Sequence, residues 1–212
     1  MKKLFFTATA VLLSLYGYGQ TQGTSAVSLG ISSGTQENNY NPSVADQTNK
    51  FSYANFRLGY GLFVKDNNKV GLDLIYNRVR NNGIGAYDSR EDNGYGAAIN
   101  YQRYFPLLKT FYAFAGGSAQ YIHSKAEIHV PDAVNRNSFA DSYSLTANGG
   151  LSWFFTKRWA LETTLISTGL FYTKTEADET AQDQSYSSKN TSFSLSTDGL
   201  FNNLGFKVYF MF

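Results

Sequence analysis

The sequence predicts an all-β protein: a single up-and-down antiparallel barrel of about eight strands that spans a membrane. Three observations lead to this fold class. Apolar residues recur with a period of two in segment after segment, which is typical of β-strands. Aromatic residues make up 17% of the chain although the mean hydropathy is only −0.31. The connections alternate between short turns and long polar segments, as in transmembrane barrels.

The amino-terminus has the order of a secretory signal peptide. Met1-Lys2-Lys3 precedes an apolar run over residues 4–16, and small residues follow at 17–19. We therefore expect cleavage after Gly19, which divides the chain into a signal peptide (1–19) and a barrel (20–212). The apolar run is shorter than the roughly 20 residues of a membrane-spanning helix. The sequence thus predicts an exported protein.

Charge and cysteine content narrow the range of functions. The chain has 18 Lys and Arg residues against 16 Asp and Glu residues, and loss of Lys2 and Lys3 leaves 16 of each. A neutral mature chain gives no support to nucleic-acid binding. The chain has no Cys, which excludes disulfides, cysteine-based metal sites and lipidation of an amino-terminal cysteine.

The first four predicted strands alternate apolar residues with small or polar ones. In the first of them Val27, Leu29 and Ile31 alternate with serine and glycine. The second and third are joined by a short polar turn at 65–69, so they form a hairpin. The four strands cover residues 25–34, 51–64, 70–80 and 94–105.

The second half of the chain predicts four more strands, over 110–124, 138–155, 159–173 and 191–212. The facing of the first of these is ambiguous, because both of its faces contain apolar residues. In the third, the pattern places Leu161, Thr163 and Leu165 on one face. In the last, apolar residues change from odd to even positions, and a β-bulge within 198–203 explains the change.

The connections differ systematically in length. Four long polar loops are predicted at 35–50, 81–92, 125–137 and 174–190, and the connections between them are short. Transmembrane barrels have short periplasmic turns and long outer loops, whereas a soluble barrel needs no such asymmetry.

The polar faces of the strands contain charges that need an enclosed interior. If the apolar faces meet lipid, one lumen holds a polar network of Arg57, Asp73, Gln102, Glu162 and Lys207. We expect these charges to pair across the lumen, with Lys207 bonded to Glu162 or Asp73. An eight-stranded barrel has a lumen that side chains can fill, so we expect no wide channel.

Aromatic residues near the strand ends predict two interfacial girdles. The turn-side girdle is expected to contain Phe63, Tyr104, Phe105, Trp153, Phe154, Trp159, Phe210 and Phe212. The loop-side girdle is expected to contain Phe51, Tyr53, Tyr95, Phe171 and Tyr172.

With its signal peptide, alternating loop lengths and final Val208-Tyr209-Phe210-Met211-Phe212, the chain resembles the small outer-membrane β-barrels of Gram-negative bacteria, of the OmpX and OmpA-transmembrane-domain type. The resemblance implies a monomer in the outer membrane, surrounded by lipid and lipopolysaccharide. It also implies that Tyr209, Phe210 and Phe212 form the signal read by the barrel-assembly machinery. The long loops would then be available to an extracellular partner.

The sequence offers little for catalysis. The two histidines of the chain, His123 and His129, lie near Ser124 and Glu127. Adjacent strand residues point to opposite faces, so His123 and Ser124 make a poor base and nucleophile. The acidic loop lacks the spacing and glycine of a calcium-binding loop; its carboxylates are Glu176, Asp178, Glu179 and Asp183. We expect no catalytic residue, cofactor or metal.

Four functions fit this reading of the chain. The favoured one is a structural or surface-interaction role with a side-chain-filled lumen. The alternatives are a narrow porin-like channel for small solutes, a lipid-modifying barrel enzyme, and a soluble periplasmic barrel that binds a ligand.

Overall fold

The computed structural model describes residues 21–39, 48–82, 89–129, 136–181, 184–199 and 205–212. The predicted signal peptide lies outside them. Within these ranges no helix is long and apolar enough to cross a membrane. The strands are β1 (Ser25–Asn39), β2 (Thr48–Lys65), β3 (Asn68–Asn82), β4 (Ser89–Pro106), β5 (Phe111–His129), β6 (Arg136–Trp153), β7 (Trp159–Ala181), β8 (Gln184–Gly199) and β9 (Gly205–Met211).

The strands form a closed antiparallel ring. Each strand from β1 to β7 pairs with the next one along the chain. β9 closes the ring by pairing with β7 on one side and β1 on the other. β8 and β9 pair with the same edge of β7: β9 with residues 159–163 at the turn side, and β8 with residues 166–181 towards the loop side. Together they occupy the position of one strand in the ring. The ring therefore has eight positions, which confirms the predicted fold class.

The strands are strongly tilted. A row of paired residues can be followed around the ring, from Thr163 on β7 through β9 and then through β1 to β6 in turn. It returns to β7 at Lys174, eleven residues further along. Such a stagger accompanies a strand tilt of about 35–45° in closed barrels.

One irregularity in β7 was not predicted. Gly149 pairs with Ile166 but Gly150 pairs with Thr164, so Leu165 is an extra residue. The sequence pattern continued the alternation of Leu161 through Leu165 without a break, whereas beyond the extra residue Ile166 takes the outward position, with 58% of its surface exposed. A bulge inserts one residue and thereby switches the parity of all residues beyond it.

The last strand contains a second irregularity. Thr163 and Ile166 on β7 are three residues apart, whereas their partners Phe206 and Gly199 are separated by seven. The connecting chain therefore contains four residues more than a continuous ladder needs. Most of the predicted bulge at 198–203, namely residues 200–203, lies outside the described part of the chain.

The outward faces carry an apolar band. Leu29, Leu58, Leu74 and Ile99 each expose 50–62% of their surface, whereas the intervening Ser28 exposes 3%. On β4, the outward aromatic residues Phe105 and Tyr95 are ten positions apart. At about 3.3 Å per residue and a tilt of about 40°, that distance spans roughly 25 Å, the height of a lipid-facing band.

The strands extend further at the loop side than the sequence indicated. Residues 35–39 and 48–50 of the first predicted loop are strand, and the same holds for both ends of the other three loops. The predicted loop 174–190 is almost wholly contained in β7 and β8. Its polar composition suggested a loop, but antiparallel pairing satisfies the backbone polar groups of exposed hairpins just as well.

The turn-side end of the lumen is filled by an aromatic plug, the cluster of Ala26, Phe63, Tyr104, Tyr112, Phe114, Phe154, Ala160, Tyr209 and Met211. A smaller cluster of Ile75, Ala98 and Ile122 lies further along the lumen. Because Phe114 and Ile122 point inward, β5 carries apolar residues on both faces, which explains its ambiguous pattern.

The plug corrects the predicted girdles. Phe63, Tyr104 and Phe154 expose only 2–3% of their surface and lie inside the barrel. Phe171 lines the lumen as well. The girdle prediction relied on closeness to a strand end, which does not determine the face of a residue. The face follows from alternation along the strand, and these rings stand at inward positions, like the neighbouring serine and glutamate residues. The outward aromatic residues at the turn side include Phe105, Trp153, Trp159 and Phe212.

Candidate functional site in the charged lumen

Glu162 is the centre of a buried hydrogen-bond network above the plug. It lies on β7, and 5% of its surface is exposed. Its carboxylate accepts hydrogen bonds from four side chains on three other strands: Gln102 Nε2 at 2.8 Å, the hydroxyls of Tyr104 and Tyr209 at 3.0 and 3.1 Å, and Ser152 Oγ at 3.1 Å. The network links β4, β6, β7 and β9 across the lumen.

Lys69 belongs to the same network. It exposes 2% of its surface. Its Nζ lies 3.8 Å from the centroid of the Tyr209 ring and 5.3 Å from that of Tyr104, in cation–π geometry. The sequence assigned Lys69 to the turn at 65–69, so it was missed. Val70 is an outward residue of β3, so extending the alternation by one residue towards the amino-terminus would have placed Lys69 in the lumen.

Asp73 and Lys207 form an ion pair higher in the lumen. Lys207 Nζ donates to both carboxylate oxygens of Asp73 at 2.9 Å. We expected Lys207 to bond either Glu162 or Asp73, and in the structure it bonds Asp73. The opposing Gly59 is needed here, since a Cβ at that position would lie 2.1 Å from Asp73 Oδ1.

Arg57 departs from the expected ion pairing. Its Nη2 donates to Gln120 Oε1 at 3.0 Å and its Nε to Asn55 Oδ1 at 3.2 Å, and both acceptors are neutral. No carboxylate of the described chain lies within ion-pair distance of Arg57, and the nearby Asp73 has both oxygens bonded to Lys207.

Between Arg57 and the Glu162 network the lumen contains a polar chamber of about 330 Å³. We call it the luminal chamber; its walls include Arg57, Asn100, Gln120, Asn148, Thr164 and Lys207. Asn100 Nδ2 and Asn148 Oδ1 are buried and have no hydrogen-bond partner in the described part of the chain. The lumen is therefore filled at the turn side but open in this chamber, in contrast to the expected side-chain-filled interior.

The histidine cluster lies on the outer surface. His123 Nδ1 is 2.9 Å from Asp141 Oδ1, and the Tyr121 hydroxyl donates to the same oxygen at 2.8 Å. Ser124 lies on the other face and donates to the carbonyl oxygen of Ala140 at 3.4 Å. His123 and Ser124 are thus on opposite sides of β5, as the sequence predicts. The side chain of His129 lies outside the described residues.

The described side chains contain no group of three or more potential metal ligands.

The carboxy-terminal aromatic residues separate into two groups. Tyr209 points into the lumen and bonds Glu162. Phe210 points outward, with its ring centroid 5.0 Å from that of Trp159. Phe212 is 63% exposed, and its backbone exchanges two hydrogen bonds with Ser25 at 2.9 and 3.0 Å. The expected assembly signal therefore includes one luminal residue and two outward ones.

At the loop side, charged residues cluster on the outer face of the β3–β4 hairpin. Glu91 accepts hydrogen bonds from Asn93, Arg78 and Arg80 at 2.7–3.2 Å. These bonds, that from Asn93 foremost, hold the pKa of the Glu91 carboxyl below its usual value. The hairpin thus presents charge beyond the apolar band.

No protein-family model matches the chain. No curated protein sequence matches it either. Among solved structures, the chain is similar to Ail, the attachment invasion locus protein of Yersinia pestis, with 13% identity and a TM-score of 0.45 over 91% of this chain and 100% of that one. It is also similar to the amino-terminal β-barrel domain of Pseudomonas aeruginosa OprF, with 11% identity and a TM-score of 0.43 over 91% and 100% of the two chains.

A third similar structure is the translocator domain of the autotransporter NalP from Neisseria meningitidis. Its identity is 9% and its TM-score 0.47, over 92% of this chain and 65% of that one. At identities this low, the likeness concerns the fold alone.

Proposed function

We propose that this chain is an integral β-barrel protein of the bacterial outer membrane, which presents its outer hairpins as an interaction surface and keeps its lumen closed with the aromatic plug. The observation that carries the proposal is the division of the closed ring into two faces. Apolar side chains point outward all around the ring, while Lys69, Asp73 and Glu162 are enclosed. Lipid requires such closure, because backbone polar groups cannot remain unpaired there.

The same division speaks against a soluble barrel. A soluble ligand-binding barrel packs its apolar faces inward and exposes its polar ones. Here the outward band includes leucine, isoleucine and valine on strand after strand, such as Leu58, Leu74 and Leu145. A continuous exposed apolar surface of this kind marks a membrane or partner interface.

The two ends of the barrel differ in a way that supports an orientation. The turn between β2 and β3 has only Asp66 and Asn67, the latter at a φ of 61°. At the other end the β7–β8 pairing extends to Ala181 and Gln184. In the proposed orientation the short turns face the periplasm and the long hairpins face the exterior.

The partners follow from this placement. Lipid and lipopolysaccharide surround the apolar band, and the barrel-assembly machinery inserts the chain. The outer hairpins meet an extracellular partner. Because β9 closes on β1 within one chain, the barrel needs no second copy, and we propose a monomer.

Single-cysteine labelling tests the placement, since the chain has no cysteine of its own. Lys125→Cys lies near the outer end of β5, and Leu108→Cys lies in an exposed turn at the other end. A membrane-impermeant maleimide added to intact cells should label only Lys125→Cys, and permeabilising the outer membrane should expose Leu108→Cys as well. Recovery of the protein in the soluble periplasmic fraction would refute the proposal.

A narrow channel is the second candidate function, and the luminal chamber is the observation that favours it. The aromatic plug opposes it, because the plug closes the turn-side end. Steady nanosiemens conductance of the wild-type barrel in a planar bilayer would establish the channel.

A lipid-modifying enzyme receives less support. Ser124 lies on the opposite face of β5 from His123, so the pair does not supply a nucleophile and its base. We expect the mass profile of lipid A to be the same with and without the protein.

A further inference from the structure

We propose that the luminal chamber binds a small monovalent anion, such as chloride, at the guanidinium of Arg57. This inference goes beyond the membrane role and does not depend on it, because it concerns the interior of the folded barrel.

The first argument is the local charge at Arg57. Its two hydrogen-bond acceptors in the described chain, Asn55 and Gln120, are both neutral. Both oxygens of the nearby Asp73 carboxylate are bonded to Lys207. An enclosed cation without a bonded counter-charge is costly, and a monovalent anion at the guanidinium supplies that counter-charge.

The second argument identifies Arg57 as the cation with free donors. Lys207 is bonded to Asp73, and Lys69 lies over the ring of Tyr209 beside Glu162. Arg57 has five N–H donors, of which Asn55 and Gln120 accept two within the described chain. Arginine side chains bind anions well because the planar guanidinium presents several donors in a fixed arrangement.

The third argument is the chamber itself. Its volume of about 330 Å³ is that of roughly ten water molecules at about 30 Å³ each, so an ion fits together with part of its hydration shell. Asn100 Nδ2 is a further buried donor on its wall without a partner among the described residues, and Asn148 Oδ1 is a buried acceptor on the same wall. The hydroxyls of Ser118 and Thr146, bonded to each other at 2.7 Å, also line it.

Bromide provides a direct probe, because it replaces chloride and scatters anomalously. Crystals of the detergent-purified barrel soaked in bromide should show an anomalous peak within hydrogen-bond distance of the Arg57 guanidinium. The peak should disappear in Arg57→Gln, which removes the positive charge and keeps a polar amide at this position. Lys65→Gln, which removes an exposed cation from the same strand, is the matched control and should keep it.

A solution measurement accompanies the diffraction experiment and does not require crystals of the variant. At constant ionic strength, replacing gluconate, a bulky and strongly hydrated anion, with chloride should raise the unfolding temperature of wild type and Lys65→Gln. The rise should be smaller in Arg57→Lys, which keeps the charge but loses the planar donor set, and absent in Arg57→Gln.

Two results would overturn the proposal. One is an Arg57 site that contains only water at saturating bromide. The other is an equal chloride-dependent rise in wild type and Arg57→Gln, which would assign the effect of chloride to the protein surface.

Discussion

Asp73 and Lys207 join strands that are far apart in the chain and separated by two others in the ring. The pair is buried, with its side chains only 7% and 18% exposed. Removing one member of a buried ion pair is costly because the other charge stays behind. The two members are not equivalent here, because Arg57 also interacts electrostatically with Asp73.

We therefore expect Asp73→Asn to destabilise the barrel more than Lys207→Met. Loss of Asp73 leaves Lys207 without its bonded partner, at a cost of up to about 3–5 kcal/mol. The neighbouring carboxylate of Glu162, its cross-strand partner on β7, already accepts four hydrogen bonds from other side chains. Loss of Lys207 instead leaves Asp73 near Arg57, which has further N–H donors. Urea unfolding in lipid vesicles, followed by the gel mobility of folded and unfolded barrel, measures both free energies.

The double variant Asp73→Asn/Lys207→Met is the control for this comparison. It removes both charges, so it should cost less than the sum of the two single changes. A larger loss in Lys207→Met than in Asp73→Asn would show that Arg57 does not compensate for the missing lysine.

At the scale of the element, β9 has two separable roles. Its backbone closes the ring, and Phe212 contributes hydrogen bonds to Ser25 at its very end. Phe210 and Phe212 are the outward rings of the expected assembly signal, and Tyr209 is its luminal member. The luminal ring of Tyr209 instead serves the Glu162 network. A side chain that only signals should not affect the stability of the finished barrel.

Phe212→Ala separates these roles, because it keeps the backbone bonds and removes the ring. We expect less barrel in the outer membrane of cells but unchanged refolding into lipid vesicles, where no assembly machinery is present. Tyr209→Phe, which loses its hydrogen bond to Glu162, should show the opposite behaviour: lower stability in vesicles and efficient insertion in cells. Equal losses of Phe212→Ala in both assays would make Phe212 a structural residue.

At the scale of the whole molecule, the lumen is divided along its axis. The aromatic plug closes the turn-side end, the Glu162 network lies above it, and the luminal chamber lies between that network and Arg57. Phe63 and Phe154 are among the most deeply buried rings of the plug, at 2% and 3% exposure. This arrangement suggests that the aromatic plug, and not the charged network, closes the lumen to ions and solutes.

Single-channel recording in planar bilayers tests this seal. Wild type should show no steady nanosiemens conductance, whereas Phe63→Ala/Phe154→Ala should conduct because two rings are missing from the closed end. Phe105→Ala, an outward aromatic residue at the same end, is the control and should remain silent. Steady conductance in wild type would favour the channel, and a silent double variant would place the seal elsewhere.

Much of this architecture was accessible from the sequence. Alternation with a period of two identified the strands, their apolar faces and five luminal residues, because a strand's side chains must point to alternate faces. The order of long and short connections separated the two ends of the barrel, on which the proposed orientation rests. Lys69 was missed because it directly follows polar turn residues, and a polar residue at that position cannot be told from the turn by its type.

Other features depend on register, which a sequence pattern does not contain. The bulge at Leu165 depends on which residue of β6 opposes it. The preference of Lys207 for Asp73 over Glu162 depends on which strands lie across the lumen from β9.

The sequence by itself thus determined the fold class, the outward apolar band and the set of polar residues that share one interior. Only the tertiary structure decided which of them are paired, that Arg57 bonds neutral side chains and no carboxylate of the described residues, and that Phe63, Tyr104 and Phe154 form a plug and not a girdle. The physical reason is that alternation fixes the face of each residue within its own strand. Contacts across the lumen depend instead on the tilt and stagger with which the strands close into a ring.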